Sequence, residues 1–461
     1  MKTLLHDVEV EGRHFDVRLR DGRVAEMGKD LPAALPDDVV INGKGGALIP
    51  GLHDHHVHLL SLARALESVD CAPASNPTAD DLVARLRNTL PGPDGWLRGA
   101  GYHERTAGPL DRHVLDRWVP NHPLRVQHRT GALWMLNSAA IDRVGHALGV
   151  DPGVERDAAG VLTGRLWRCD DRLRAAIPAG VLDLAAVGGL LAAVGITGVT
   201  DATPDLNADA LDILASAAAA GALPQKLTLL GTDDDARLPP GCSHGPRKLL
   251  LHDHDLPGVV DLAELIRSAH AVGRPVAVHC VTSESLVITL AALERTGSMP
   301  GDRIEHASVV PVGVGEWMAR LGVRVVTQPD FLRTRGDDYV RDVEPDEADQ
   351  LYPYASLLAA GVPTCPSSDA PYGDHDPWRV LSSASTRMTH AGTTLGSWER
   401  VPAAAALAGY LSAPDRPGGP ARRVRPGMPA TVVLLHEPLA HALRSADPLV
   451  RAVWIEGTRV V

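Results

Sequence analysis

Two histidines one residue apart, His56 and His58, follow the short apolar run Leu48-Ile49-Pro50-Gly51-Leu52. On a strand, residues i and i+2 project to the same face, so both imidazoles can reach one ion. The pair alone carries little weight. With 21 histidines in the chain, chance supplies about one H-x-H, and His53-Asp54-His55 and His252-Asp253-His254 are further examples. Three later residues sharpen the signal: His279 ends the run PVAVHC, His306 ends RIEH, and Asp369 falls at the end of VPTCPSSDA. Each is a ligand-type residue at the C-terminal end of an apolar strand, which is where the active sites of α/β barrels lie. Lys248 is one of only five lysines and stands in RKLLLHD. A lysine in a strand of a packed barrel is costly unless its charge is neutralised or paired. Carboxylation by CO₂ is one solution, giving an anionic carbamate able to bridge two ions. An unmodified lysine paired with Asp369 or with a substrate carboxylate is the other.

The elements that must position these residues alternate in type. Strand-like runs at 195–202, 227–232, 247–253, 275–280, 303–308, 323–329 and 362–370 are separated by helix-like runs at 210–223, 262–273, 285–297, 314–322 and 356–361. This rhythm predicts a parallel sheet, with enough units for a (β/α)₈ barrel of the TIM type. Residues 1–50 read as short strands broken by the hairpin signals Glu11-Gly12 and Asp21-Gly22. The last forty residues read similarly, which predicts a small composite β-sandwich domain from both termini, 1–50 with 412–461. The barrel would then span 51–411. Residues 70–170 lose the rhythm and carry abundant Trp, Arg and His, as an elaborated insertion would.

Composition narrows the partners. Asp and Glu number 57 against 45 Lys and Arg, a net charge of −12. That argues against nucleic acid or an anionic membrane as the main partner, since both need a basic face. Five cysteines without a C-x-x-C favour a reducing cytoplasm over a disulfide framework. The start, MKTLLHDVEVEGRHF, carries charges where a secretory signal would be apolar. The run LAAVGGLLAAVGITGVT, 17 residues long, reads as a helix turning into a buried strand rather than as a membrane span. The expected partner is a small-molecule substrate, and a homodimer is compatible.

The order HxH, Lys, His, His, Asp at successive strand ends resembles the amidohydrolase superfamily. Within it the chain is most similar to the branch that includes the N-substituted formamide deformylases. The resemblance runs from about residue 45 to 460 through ALIPGLHDHHVHL, GWLRGAGYHE, LNSAAIDRVG, GVERDAAGVLTGRLWR, GITGVTDA, GRPVAVHC, DRIEHA and SSDAP. It implies one or two divalent ions, with zinc suiting the histidine-rich set and Mn²⁺, Fe²⁺, Co²⁺ or Ni²⁺ able to take the same ligands. In the binuclear form His56, His58, Asp369 and a Lys248 carbamate hold one ion. The carbamate, His279 and His306 hold the other. A hydroxide between the ions attacks the carbonyl, and Asp369 passes its proton to the leaving nitrogen.

Two departures bear on the substrate. His252 stands where the family places an Asp after its lysine strand, and Thr130-Gly131-Ala132 replaces Asp-Gly-His in the insertion. Candidates to line the pocket are Tyr102, His103, Glu104, His128, Arg129, Trp134, Arg168, Asp330, Arg333 and Trp378. The expected reaction is hydrolysis of a formamide or N-acyl amide. Opening of a cyclic amide, or deamination of a heterocycle at the same centre, is the second reading. A catalytically silent barrel is the third.

Overall fold

The computed structural model describes residues 2–32, 38–73, 78–177, 182–343, 345–445 and 449–461. They form two compact units, Met1–Leu59 with Leu184–Val461, and Leu60–Asp183.

The first unit is α/β. One parallel sheet has the order Cys242–His244, Lys226–Leu229, Ile196–Asp201, Leu52–Val57. A second has Arg247–Leu249, Val276–Cys280, Arg303–His306, Arg324–Thr327 and Thr364–Pro366, also all parallel. Strands such as Ile196–Asp201, Val276–Cys280 and Arg324–Thr327 are short and largely buried on both faces, as parallel strands under helices must be. Some of the intervening helices have their ends satisfied by caps. The Asn207 side chain accepts from Ala210 N at the start of Ala208–Ala219, and Thr282 forms a reciprocal capping pair with Ser285 on Ser283–Thr296. Gly322, with φ 70°, ends Val314–Leu321.

The barrel expected from the rhythm is not one continuous ladder. Gly245 and Pro246 interrupt the strand that would join the two sheets, leaving Cys242–His244 and Arg247–Leu249 as separate pieces. Proline has no N–H to give to a ladder. Single backbone bonds span the gaps: Lys248 N to Leu230 O at 3.2 Å on one side, and Asp369 N to His56 O and His58 N to Ala370 O, both 2.9 Å, on the other.

The chain termini supply two further four-stranded sheets. One has the order Arg23–Gly28, Arg13–Arg20, Lys2–Val10, Asp38–Asn42; the other Thr458–Arg459, Val450–Ile455, Val432–Leu435, Leu48–Pro50. The turns Glu11-Gly12 and Asp21-Gly22 have positive φ at both positions, the backbone that tight hairpins require. One apolar cluster draws on both sheets: Leu5, Val17 and Leu19 from the first, Leu48, Val432, Leu434 and Trp454 from the second. Leu48–Pro50 leads straight into the histidine strand, and Gly51 N donates to Thr431 O at 2.9 Å. The terminal sheets therefore anchor the start of the strand that carries His56.

The second unit holds a six-stranded mixed sheet, ordered Val154–Arg156, Leu162–Trp167, Leu133–Leu136, Leu124–His128, Leu97–Tyr102, Val69–Asp70. Asn137, fully buried, holds it together locally. Its side chain accepts from Leu124 N and Ala140 N and donates to Val119 O and His122 O.

Trp454 is 1% exposed at the centre of the cluster shared by the terminal sheets. Truncation of Trp454 to Ala is expected to cost about 3–5 kcal/mol, measured as a lowered urea midpoint by circular dichroism. A loss under about 1 kcal/mol would show that the shared cluster does not carry the terminal sheets.

Candidate metal centre

The segment 53–58 sorts its histidines by strand alternation. His53 lies 2.9 Å through Nε2 from Thr200 Oγ1, and His55 lies 3.0 Å through Nε2 from Ser412 Oγ. Both are buried in packing rather than in the site. Asp54 and His56 share the other face. Asp54 accepts from His56 N and Ser368 N, both at 3.2 Å, and burial pushes its carboxyl up to about 6.

His56 is fully buried, and its Nδ1 donates to the Glu305 carboxylate. An ionised carboxylate only accepts, so the proton is on Nδ1 and the lone pair on Nε2. Nε2 lies 3.5 Å from Asp369 Oδ1. His58, just past the strand, sets its Nε2 3.3 Å from the same oxygen. Its Nδ1 is 3.3 Å from Thr203 Oγ1, and Tyr372 stands edge-on to its ring. His306 places Nδ1 2.8 Å from Gln328 Oε1, while Gln328 Nε2 donates to Ser367 Oγ at 2.9 Å. Because that Gln oxygen accepts, His306 also carries its proton on Nδ1 and leaves Nε2 bare.

His306 has φ 71° and Asp369 φ 53°. Asp and His adopt this left-handed backbone more readily than most residues, and at these two positions it re-aims a side chain at or just after the end of a strand. The turn at His306 brings it to the face that Glu305 already occupies. The rings of His56 and His306 lie 4.9 Å apart, and those of His279 and His306 4.4 Å. Donor atoms of His56, His306 and Asp369 all fall within 4.8 Å of one another. His56 Nε2 and Asp369 Oδ1 are buried without a hydrogen-bond partner. A buried lone pair beside a buried carboxylate oxygen is costly unless a cation lies between them. The residues therefore fit a divalent ion.

Burial is the main cause that keeps the imidazoles neutral. It holds His56 at about 4 and His306 at about 3, and His279 well below its ordinary range. The Lys248 charge pushes all three the same way. Lys248 is itself buried, and burial lowers its ammonium. Burial alone would raise the Asp369 carboxyl, but His56, His58 and His306 bring it below the usual carboxylate range. Glu305 behaves likewise: burial opposes its charge, and Arg303, His56 and Lys248 together hold it ionised.

The other sequence candidates make different contacts. Asp330 and Arg333 pair with each other at 2.7 and 2.9 Å; Arg333 also meets Asp374 at 3.1 Å, and Ser383 Oγ donates to Asp330. Trp378 Nε1 donates to Val194 O at 3.1 Å. In the second unit, Tyr102 is buried with its hydroxyl on Gly108 O, and Trp134 is buried with Nε1 2.8 Å from Asp170 Oδ1 and Arg98 over its ring. Arg129 N and Arg168 N donate to Tyr102 O and Ala132 O, each at 2.8 Å. His103 accepts from Arg105 N, and His128 Nε2 lies 3.1 Å from Glu104 Oε2. His103, Glu104 and His128 form a second group of convergent donors; burial lowers the His128 imidazole, Glu104 beside it raises it, and the Arg129 and Arg165 guanidiniums add to the lowering. His252 and His254 are exposed on the loop after Arg247–Leu249. Cys280 faces away from the centre, 3.4 Å from Thr289 Oγ1.

Sequence reading missed Glu305, Arg303 and Gln328. A signal existed for the first two: opposite charges two residues apart in RIEH share one face of an otherwise apolar strand. Gln328 follows its strand with no pattern to mark it.

Histidines and a carboxylate with unspent lone pairs, gathered at the ends of parallel strands, define a metal-dependent hydrolase. The chain belongs to the Amidohydrolase family, whose sequence profile matches residues 39–461. It is 28% identical to the N-substituted formamide deformylase of Arthrobacter pascens over 87% of this chain and 86% of that protein. A shorter stretch, 23% of this chain and 25% of the relative, is 32% identical to the dihydroorotase of Mycobacterium tuberculosis. Uncharacterized metal-dependent hydrolases from Pyrococcus horikoshii and Pyrococcus furiosus share the fold. Their TM-scores are 0.75 and 0.72 at 20% and 21% identity, covering 100% and 97% of this chain and all of each neighbour. The protein is a metal-dependent hydrolase of carbon–nitrogen bonds other than peptide bonds.

Four buried histidines and the half-buried His279, all held neutral, dominate the pH response of the metal-free protein over the opposing group Asp54, whose carboxyl burial raises to about 6. His55, His56 and His306 take up protons only near pH 3–4 when folded, and His53 and His279 are also lowered. An unfolded histidine does so near 6.5. Between these values the unfolded chain binds more protons, so stability falls as pH drops. The urea midpoint in excess chelator should decrease steadily from pH 7 to pH 4.5. A flat or rising midpoint would contradict neutral burial.

Proposed function

We propose that the protein hydrolyses a formamide or another acyclic N-acyl amide of a small amine. The observation that supports this most directly is the convergence of ligand atoms of His56, His306 and Asp369 within 4.8 Å of one another, with His56 Nε2 and Asp369 Oδ1 buried and without hydrogen-bond partners. The two parallel sheets are read as one (β/α)₈ barrel, the terminal sheets 1–50 and 412–461 as a β-sandwich, and about 70–170 as an insertion. His56, His58 and Asp369 would hold one divalent ion, zinc by ligand type, with His279 and His306 offering a second position and a carboxylated Lys248 able to bridge. When bound, such an ion lowers the pKa of a water toward neutrality and polarises the scissile carbonyl.

The chain's own residues supply the rest. Burial keeps the imidazoles neutral and excludes bulk water. Asp369 remains a carboxylate at neutral pH, so it accepts the proton of the attacking water and returns it to the amide nitrogen, which leaves poorly unless protonated. The deformylase relative supports the acyclic amide. The dihydroorotase stretch supports a cyclic amide as the second reading. Among the described residues no helix is long and apolar enough to cross a membrane, and the proposed setting is the cytoplasm.

Asp369→Asn should lower kcat by about 10²–10⁴-fold while the protein keeps most of its metal, measured with N-substituted formamides by release of formate and amine. A near-normal rate would remove Asp369 from the proton path. Ammonia or a ring-opened acid as the product from other substrates would replace the acyclic amide reading.

A further inference from the structure

The reading of His56 as a metal ligand leaves unexplained what fixes its ring, and the inference below rests on that reading. Arg303 and Glu305 stand two apart on Arg303–His306, in the five-stranded sheet, whereas His56 stands on Leu52–Val57, in the four-stranded sheet. All three are buried, at 1%, 0% and 0% exposure. Glu305 is used from both sides. Its Oε1 accepts from Arg303 Nε, and its Oε2 accepts from His56 Nδ1. Arg303 Nη2 reaches on to His55 O at 3.1 Å, the carbonyl just before His56.

We propose that Glu305 is a positioning residue for the metal centre: it holds the His56 ring with bare Nε2 turned to the ion, and Arg303 locks it against the strand that carries His56. A neutral imidazole without an acceptor at Nδ1 samples both tautomers and both ring orientations, and most of those states point an N–H or a carbon at the ion. A carboxylate acceptor selects one state before metal arrives and makes Nε2 a better donor. The buried charges also need a reason to exist. Desolvating a guanidinium and a carboxylate costs more than packing apolar side chains of similar size, so stability alone does not account for the pair. Linking two separate sheets at the ligand accounts for it.

The test is zinc affinity, measured by competition with a chromophoric chelator for wild type, Glu305→Gln and Glu305→Asp. The Gln variant keeps the volume and loses the charge. The Asp variant keeps the charge and withdraws it from the ring. Both should bind zinc about 10–100-fold more weakly. Nitrogen NMR of the metal-free wild type should show His56 protonated at Nδ1, and Glu305→Gln, whose single oxygen cannot serve both Arg303 Nε–H and His56 Nδ1–H, should show mixed tautomers. Unchanged affinity and an unchanged tautomer in either folded variant would overturn the proposal. Should Glu305→Gln fail to fold, the Asp variant decides. A wild type that binds no zinc would instead overturn the metal-site reading itself.

Discussion

A buried imidazole can be a metal ligand only if it is neutral and keeps one lone pair unspent, and the proposed metal centre of this protein meets that requirement. Burial secures neutrality, holding His56 and His306 far below their ordinary range. The second condition needs a partner for the other nitrogen. Glu305 accepts a hydrogen bond from His56 Nδ1–H, and Gln328 Oε1 accepts one from His306 Nδ1–H. Without these acceptors the rings would be free to satisfy one another or Asp369, and the site would close on itself. Asp369 completes the set as an anion with one buried oxygen uncommitted.

The fold serves this constraint by bringing strand ends from both sheets to one place. His56 comes from the four-stranded sheet; His279 and His306 come from the five-stranded one, and Asp369 follows its last strand. Regular strand geometry would aim His306 away from Glu305. The left-handed backbone at His306 and at Asp369 turns both inward, a cost that the surrounding hydrogen bonds sustain. The bonds from Asp369 N to His56 O and from His58 N to Ala370 O tie the carboxylate to the histidine strand by backbone alone.

Much of this was legible in the sequence because the ligand types are out of character where they stand. A His or an Asp closing an apolar strand has few structural reasons to be there, which singles out His56, His279, His306 and Asp369 in the sequence; the structure brings ligand atoms of His56, His306 and Asp369 within 4.8 Å of one another. The hairpin turns Glu11-Gly12 and Asp21-Gly22 were equally plain, since their residue types match the backbone they require. Other features depend on tertiary placement. The break at Gly245 and Pro246, which divides the parallel strands into two sheets, looks in sequence like an ordinary approach to a strand. Gln328 matters only because it meets a histidine from another strand. Indole and phenol groups are ambiguous in the same way. Trp134 and Tyr102 read as pocket residues, yet each spends its polar atom inside the second unit.

Metal content per chain, by elemental mass spectrometry of protein purified with zinc and bicarbonate, tests the account most directly. The proposed ligand set, with the proposed carbamate on Lys248 as bridge, leads to about two equivalents. Protein that remains metal-free under those conditions while fully folded would contradict the account, because the buried donor atoms would then be serving something other than an ion.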